Sequence, residues 1–204
     1  MSAPPTTLLF ASPAEEAAIR EAVRHADPLT LGAGRVLARP AHGAALLGFL
    51  SDPAVSGPIY DLPRPFTLDR VAAWIAEGET LHERGEGLLI LTRNEAGEIL
   101  SYAKITVWPE RASGELGGAL RASYQSSGAG GDGAPRTIQW MFERLSLRVI
   151  CLTAALDNIR SARLIDRIGF TRMGERDSVR GDGSVRRSLY WEMTREAWAA
   201  ARNR

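Results

Sequence analysis

Cysteine is nearly absent. Cys151 stands alone among 204 residues, so no disulfide forms within the chain, which suits a reducing compartment. It lies in the apolar run Val149-Ile150-Cys151-Leu152, the setting of a buried structural thiol rather than a reactive one. Lysine is equally scarce: Lys104 is the single lysine among 25 basic residues, and against 24 acidic residues the net charge is only +1. The pronounced basic face of a general nucleic-acid binder is therefore missing. His25, His42 and His82 are too scattered for the ligand spacing of a metal site. No run approaches the ~18 apolar residues of a membrane span. Met1-Ser2-Ala3-Pro4-Pro5 has no basic segment followed by an apolar one, as a secretory signal would. The expectation is a cytoplasmic protein with no metal, no membrane association and no nucleic-acid partner.

What is present is an ordinary globular composition, 45% hydrophobic and 24% charged. A chain of this length suits one domain that buries roughly 70% of its unfolded surface. Ser12-Pro13-Ala14-Glu15 sets an N-cap serine, a first-turn proline and a capping-box glutamate in register. Ala18, Ile19, Ala22 and Val23 follow at helical spacing as far as about His25, and Gly32-Ala33-Gly34 reads as a linker. Residues 1–33 thus form an extension with one helix, which either packs on the body or makes a homodimer contact; residues 34–204 are the body.

The body opens with a short strand, Arg35–Arg39, and a helix around His42–Leu50. Thr67 caps a second helix carrying Val71, Ala72, Trp74 and Ile75. Strands follow at Gly87–Thr92, Ile99–Trp108 and 114–122, then a helical stripe of Ile138, Phe142 and Leu145. Leu147–Leu152 reads as a buried strand and 158–168 as an amphipathic helix. Phe170–Val179 and Val185–Met193 flank Gly181-Asp182-Gly183-Ser184 as a hairpin, and a last helix holds Trp198. This order predicts an α/β (α+β) fold, a single sheet with helices on its faces.

Two segments carry chemistry. Gln125-Ser126-Ser127-Gly128-Ala129-Gly130 lies between a strand and a helix. Backbone N–H groups unobstructed by Cβ atoms and leading into a helix N-terminus make an anion site. Further on, Asn158-Ile159-Arg160-Ser161 opens a helix that ends at Ile168-Gly169-Phe170. In this order the two suggest a site for a phosphate-bearing cofactor whose far end meets a substrate. Gly130-Gly131-Asp132-Gly133-Ala134-Pro135 opens a helix poorly, because glycine costs about 1 kcal/mol against alanine and proline suits only the first turn. The spacing predicts helical geometry only from about Ala134 or Pro135.

Over roughly residues 35–199 the chain resembles the GNAT N-acetyltransferase superfamily, in particular its ribosomal-protein N-terminal acetyltransferase (Rim-like) branch. Gln125, Gly128 and Gly130 match the family's pyrophosphate loop, and Asn158, Ser161, Gly169 and Phe170 match its second block. Phe66 through Trp74 look like its proline-led substrate-side helix. The resemblance implies a mixed, mainly antiparallel sheet and acetyl-CoA as co-substrate, its pyrophosphate on the amides of Ser126, Ser127, Gly128, Ala129, Gly130 and Gly131. It implies direct transfer of the acetyl group to a primary amine, on a protein N-terminus or a small molecule. An amide of Ala119, Leu120 or Arg121 would polarise the acetyl carbonyl, and Asn158 would cap its helix or bond the pantetheine. Glu115 is the candidate base and Ser161 the candidate acid, since Ile165 holds the position where many relatives carry a tyrosine. Glu115 also reads as a solvated strand-end carboxylate, and Ser161 as a residue satisfying its first helical turn. A non-catalytic acyl-CoA-binding regulatory or interaction module is the alternative.

Overall fold

The computed structural model describes residues 3–59, 61–125, 129–179 and 184–202. The helices are α1 (Pro13–Arg24), α2 (Gly43–Leu50), α3 (Pro53–Ser56), α4 (Leu68–Arg84), α5 (Ala122–Gln125), α6 (Ala129–Arg144), α7 (Ile159–Ile168) and α8 (Arg195–Arg202). The strands are β1 (Arg35–Leu37), β2 (Gly87–Arg93), β3 (Ile99–Trp108), β4 (Ser113–Leu120), β5 (Val149–Ala155), β6 (Thr171–Val179) and β7 (Val185–Thr194). They form one seven-stranded sheet in the order β1-β2-β3-β4-β5-β7-β6. Every pairing is antiparallel except β4 with β5, which α6 connects; α7 likewise carries the chain from β5 past the place of β7 to β6. The hairpin turn expected at residues 181–183 lies outside the described residues.

Period-two alternation sorts the side chains into two cores. On the first face Leu88, Ile90, Ile105, Val107, Ile150, Leu152, Trp191 and Met193 pack with Ile19 and Val23 of α1, Ile138, Met141 and Phe142 of α6, and Ala162 and Ile165 of α7. On the second face Leu89, Leu91 and Tyr102 pack with Leu46, Phe49 and Leu50 of α2 and Val71, Trp74 and Ile75 of α4. Trp74 meets Tyr102 edge-on with ring centroids 5.4 Å apart. Helix α1 therefore shares the main core with the body. It presses on the end of α4, where Gly85 adopts φ 72°; a Cβ there would lie 2.6 Å from the Arg20 Cα, so both conformation and space require glycine.

One expectation fails. Helix α6 is regular from Ala129, with Pro135 inside it, rather than starting at Ala134 or Pro135. Tertiary anchoring overrides local propensity here. Ile138, Met141, Phe142 and Leu145 are buried to within 1% exposure and fix the helix axis. Pro135 removes one backbone donor, whose acceptor would have been Gly131, while the Thr137 hydroxyl donates to the Gly133 carbonyl at 2.9 Å. The start at Ala129 gives the first-turn amides of Ala129, Gly130 and Gly131 no intrahelical acceptor.

Candidate active site at the fork of the sheet

β4 pairs with β3 along its whole length, and β5 with β7 along its whole length. Between β4 and β5 the ladder has three registers, Ser113 with Val149, Gly114 with Ile150 and Glu115 with Cys151, and ends there. Leu116–Leu120 and Leu152–Ala155 continue without pairing each other, so the sheet forks at Glu115. Helix α6 starts beyond the end of β4 and α7 beyond the end of β5, which turns both helix N-termini toward the mouth of the fork.

The direction of the β4 peptides follows from one bond. Arg121 N–H donates to the Leu100 carbonyl at 2.7 Å, and the Arg121 Nε donates to the Ile99 carbonyl at 2.9 Å. In an antiparallel ladder peptide direction alternates, so Ala119, Gly117 and Glu115 also face β3, while Leu116, Gly118 and Leu120 face the fork. Of the three residues expected to polarise an acyl carbonyl, only Leu120 has the required direction; the amides of Ala119 and Arg121 belong to the β3 ladder.

Glu115 sits on the second face, 8% exposed. Thr153 of β5, beyond the last ladder pair, donates its hydroxyl to Glu115 Oε1 at 3.1 Å, a side-chain bridge across the base of the fork. The solvated strand-end reading of Glu115 does not fit this burial. Cys151, its register partner, is fully buried. Burial first, then the neighbouring Glu115 carboxylate, push its thiol well above the ordinary value, which keeps it protonated and non-nucleophilic.

Asn158 caps α7: its Oδ1 accepts the Ser161 N–H at 3.1 Å. The Ser161 side chain is half-buried, and its hydroxyl has no hydrogen-bond partner among the described residues. Gly169 ends α7 at φ 98°, and Phe170 is buried, which is the physical content of the Gly-Phe pair. Ile165 is a core residue at 7% exposure, so no phenol stands there. Ser126, Ser127 and Gly128 lie outside the described residues. Of Gln125, Ala129, Gly130 and Gly131 the backbone is described, ending α5 and starting α6.

Sequence reasoning missed a cluster beside this site, because its members lie far apart in the chain. Glu192, register partner of Cys151, is 4% exposed and accepts from Thr6 N at 2.5 Å, Thr6 Oγ1 at 2.6 Å, Thr7 N, the Thr7 hydroxyl and the Tyr190 hydroxyl. Burial alone would raise its pKa; the Thr6, Thr7 and Tyr190 donors outweigh that and hold it below the ordinary glutamate value. A depressed folded value means this stabilisation is complete above about pH 4.5 and is lost as pH falls through the folded value. The melting temperature of the wild type is accordingly expected to drop more between about pH 5 and pH 3 than that of Glu192→Gln, which has no such proton to take up. Parallel pH dependences in the two proteins would contradict the assignment.

Among the described residues no group of three or more His, Cys, Asp or Glu could hold a metal ion, and no helix is long and apolar enough to cross a membrane. A model of the acetyltransferase (GNAT) domain matches residues 35–171. Among curated protein sequences none matches. The fold is similar to ribosomal-protein-S5-alanine acetyltransferase from Vibrio fischeri, with TM-score 0.68 and 17% identity, covering 80% of this chain and 93% of that one. It is similar to RimL, a ribosomal L7/L12 alpha-N-protein acetyltransferase in complex with coenzyme A, with TM-score 0.68 and 17% identity over 82% of this chain and 97% of that one. Mycobacterium smegmatis RimJ, in complex with CoA-disulfide, gives TM-score 0.66 and 18% identity over 79% and 81%. The chain belongs to the GNAT acetyltransferase family and is an enzyme that transfers an acetyl group from acetyl-CoA to an amine.

Proposed function

We propose that transfer is direct, to a primary amine, and takes place in the fork between β4 and β5 with Glu115 as base. The observation that carries this reading is the end of the β4–β5 ladder at Glu115 itself. The pyrophosphate of acetyl-CoA binds the segment from Gln125 to Gly131, the first-turn amides of α6 included, where aligned N–H groups favour phosphate. The pantetheine runs into the fork past the cap residue Asn158, whose side-chain amide nitrogen is the group that would bond it. The acetyl oxygen faces the fork-directed amides of Gly118 and Leu120, which stabilise the oxyanion as it forms.

The proton balance assigns the side chains. A primary amine is an ammonium ion at neutral pH and must lose one proton before its lone pair can attack the thioester carbon. Glu115 takes that proton directly or through one water. The C–N bond forms, the tetrahedral intermediate collapses with cleavage of the C–S bond, and the Ser161 hydroxyl gives its proton to the leaving thiolate. The second amine proton leaves through Glu115 to solvent, and Ser161 regains its own from water. The protonated, buried Cys151 supports direct transfer over an acetyl-cysteine intermediate. The match to the acetyltransferase domain disfavours the binding-only alternative.

Thr153 positions Glu115 in this scheme. Thr153→Val is expected to lower kcat about ten-fold with little change in KM for acetyl-CoA, the scale of one hydrogen bond to a charged group, and Thr153→Ser should restore most of the loss. Steady-state kinetics with a panel of primary amines checks this; an unchanged kcat in Thr153→Val would contradict the role.

A further inference from the structure

The segment before the family match is fastened to the edge of the sheet where β4 and β5 begin and, on the second face, to β7. Residues 3–11 precede residue 35, where the GNAT domain begins. Arg111 donates to the carbonyls of Leu9 at 3.0 Å, Pro5 at 3.0 Å and Thr7 at 3.1 Å. Arg148 holds the Phe10 carbonyl at 2.8 Å, and Ala11 N–H bonds the Glu110 carbonyl at 2.9 Å. From this edge the chain turns onto the second face, where Thr6 and Thr7 close on Glu192. Glu192, Cys151 and Glu115 occupy one row across β7, β5 and β4. At about 4.8 Å per strand, Thr6 and Thr7 stand roughly 10 Å from the column of Glu115.

A second bridge limits the same face at its other end. Arg186 of β7 donates to the Pro58 carbonyl at 3.3 Å and pairs with Asp157, tying the segment after α3 to β7. Arg186 and Glu192 point to the same face, so the two bridges lie about 20 Å apart along the strand at ~3.4 Å per residue. Between them the floor is Thr153, Ser188 and Tyr190, with Glu115 at its side.

We infer that the strap of residues 3–10 is a specificity wall, and that the acceptor is a compact primary amine rather than the end of a folded protein. This rests on the assignment of the acceptor to the Glu115 side of the fork. An extended polypeptide rises about 3.3 Å per residue. A chain whose terminal amine reaches Glu115 and that continues toward β6 meets Thr6 and Thr7 within about three residues, while a small amine fits wholly between the bridges.

The test compares two kinds of acceptor in the full-length chain and in the full-length double variant Thr6→Val with Thr7→Val, which loses both hydroxyl donors to Glu192. The probes are small primary amines such as benzylamine and hexapeptides with free N-termini, read by release of coenzyme A and by product mass. The full chain is expected to favour the small amines by about 100-fold or more in kcat/KM. The variant should raise kcat/KM for the hexapeptides about ten-fold and leave that for small amines within about three-fold. A chain lacking residues 1–10 should move the ratio in the same direction. Unchanged ratios in both altered chains, or hexapeptides preferred by the full chain, would overturn the wall. In the same assay Glu115→Gln with undiminished turnover would overturn the site reading instead, which keeps the two failures distinct.

Discussion

Glu115→Gln is expected to lower kcat for amine acetylation by ~10²-fold or more, the usual scale of general base catalysis, with acetyl-CoA affinity nearly unchanged. The loss should be greatest at low pH, where more of the amine carries the proton that the base must remove. The isosteric amide preserves packing at a site only 8% exposed, so a folding defect is not the expected cause. Ser161→Ala should act on the leaving-group side: kcat falls while acetyl-CoA affinity holds, because the hydroxyl donates only as the thiolate departs. The cap on α7 survives this change, since Asn158 accepts the Ser161 backbone N–H and not the hydroxyl. Near wild-type kcat in both variants would leave the chemistry to water and backbone.

Trp191→Ala is expected to cost about 3–5 kcal/mol, the range for removing a buried large aromatic side chain. Trp191 has no exposed surface and lies on the first face of β7. Its indole N–H donates to Asp166 of α7 at 2.9 Å, and the Arg172 guanidinium lies 5.6 Å from its ring centroid while bonding the same carboxylate. The residue therefore docks α7, and with it Asn158 and Ser161, onto the sheet. At about 2–4 °C per kcal/mol for a chain of this size, the melting temperature should fall by roughly 10–15 °C. Trp191→Phe keeps much of the apolar volume and loses the donor, so it should fall between. A loss below about 1 kcal/mol in Trp191→Ala, measured by denaturant titration, would contradict the docking role.

The parts of this molecule that were legible in the sequence are those set by local periodicity and termini. The strand and helix order emerged from alternation and from caps such as Ser12, Thr67 and Asn158, each of which accepts from a backbone amide in its helix. Gly169-Phe170 was readable because a left-handed helix end followed by a buried aromatic is a local pattern. Three features were not legible, each for its own reason. The start of α6 is decided by a buried stripe one turn and more beyond Pro135, which propensity at residues 130–135 does not register. The direction of the amides at Ala119, Leu120 and Arg121 depends on strand register, where a step of one residue reverses the answer. The Thr6-Thr7 strap has no periodicity of its own and finds its partner, Glu192, on the last strand of the sheet.

Direct transfer at the fork with Glu115 relaying the amine proton is tested most directly by single-turnover kinetics. Enzyme preloaded with carbonyl-labelled acetyl-CoA is mixed with excess amine, and both the product and the intact protein mass are followed in wild type and in Glu115→Gln. Under direct transfer, labelled N-acetylated amine is expected to appear in one phase together with free coenzyme A, the protein never gains the mass of an acetyl group, and Glu115→Gln slows this single phase ~10²-fold. An acetylated protein that forms and decays at the rate of product formation, or a Glu115→Gln phase as fast as wild type, would contradict it.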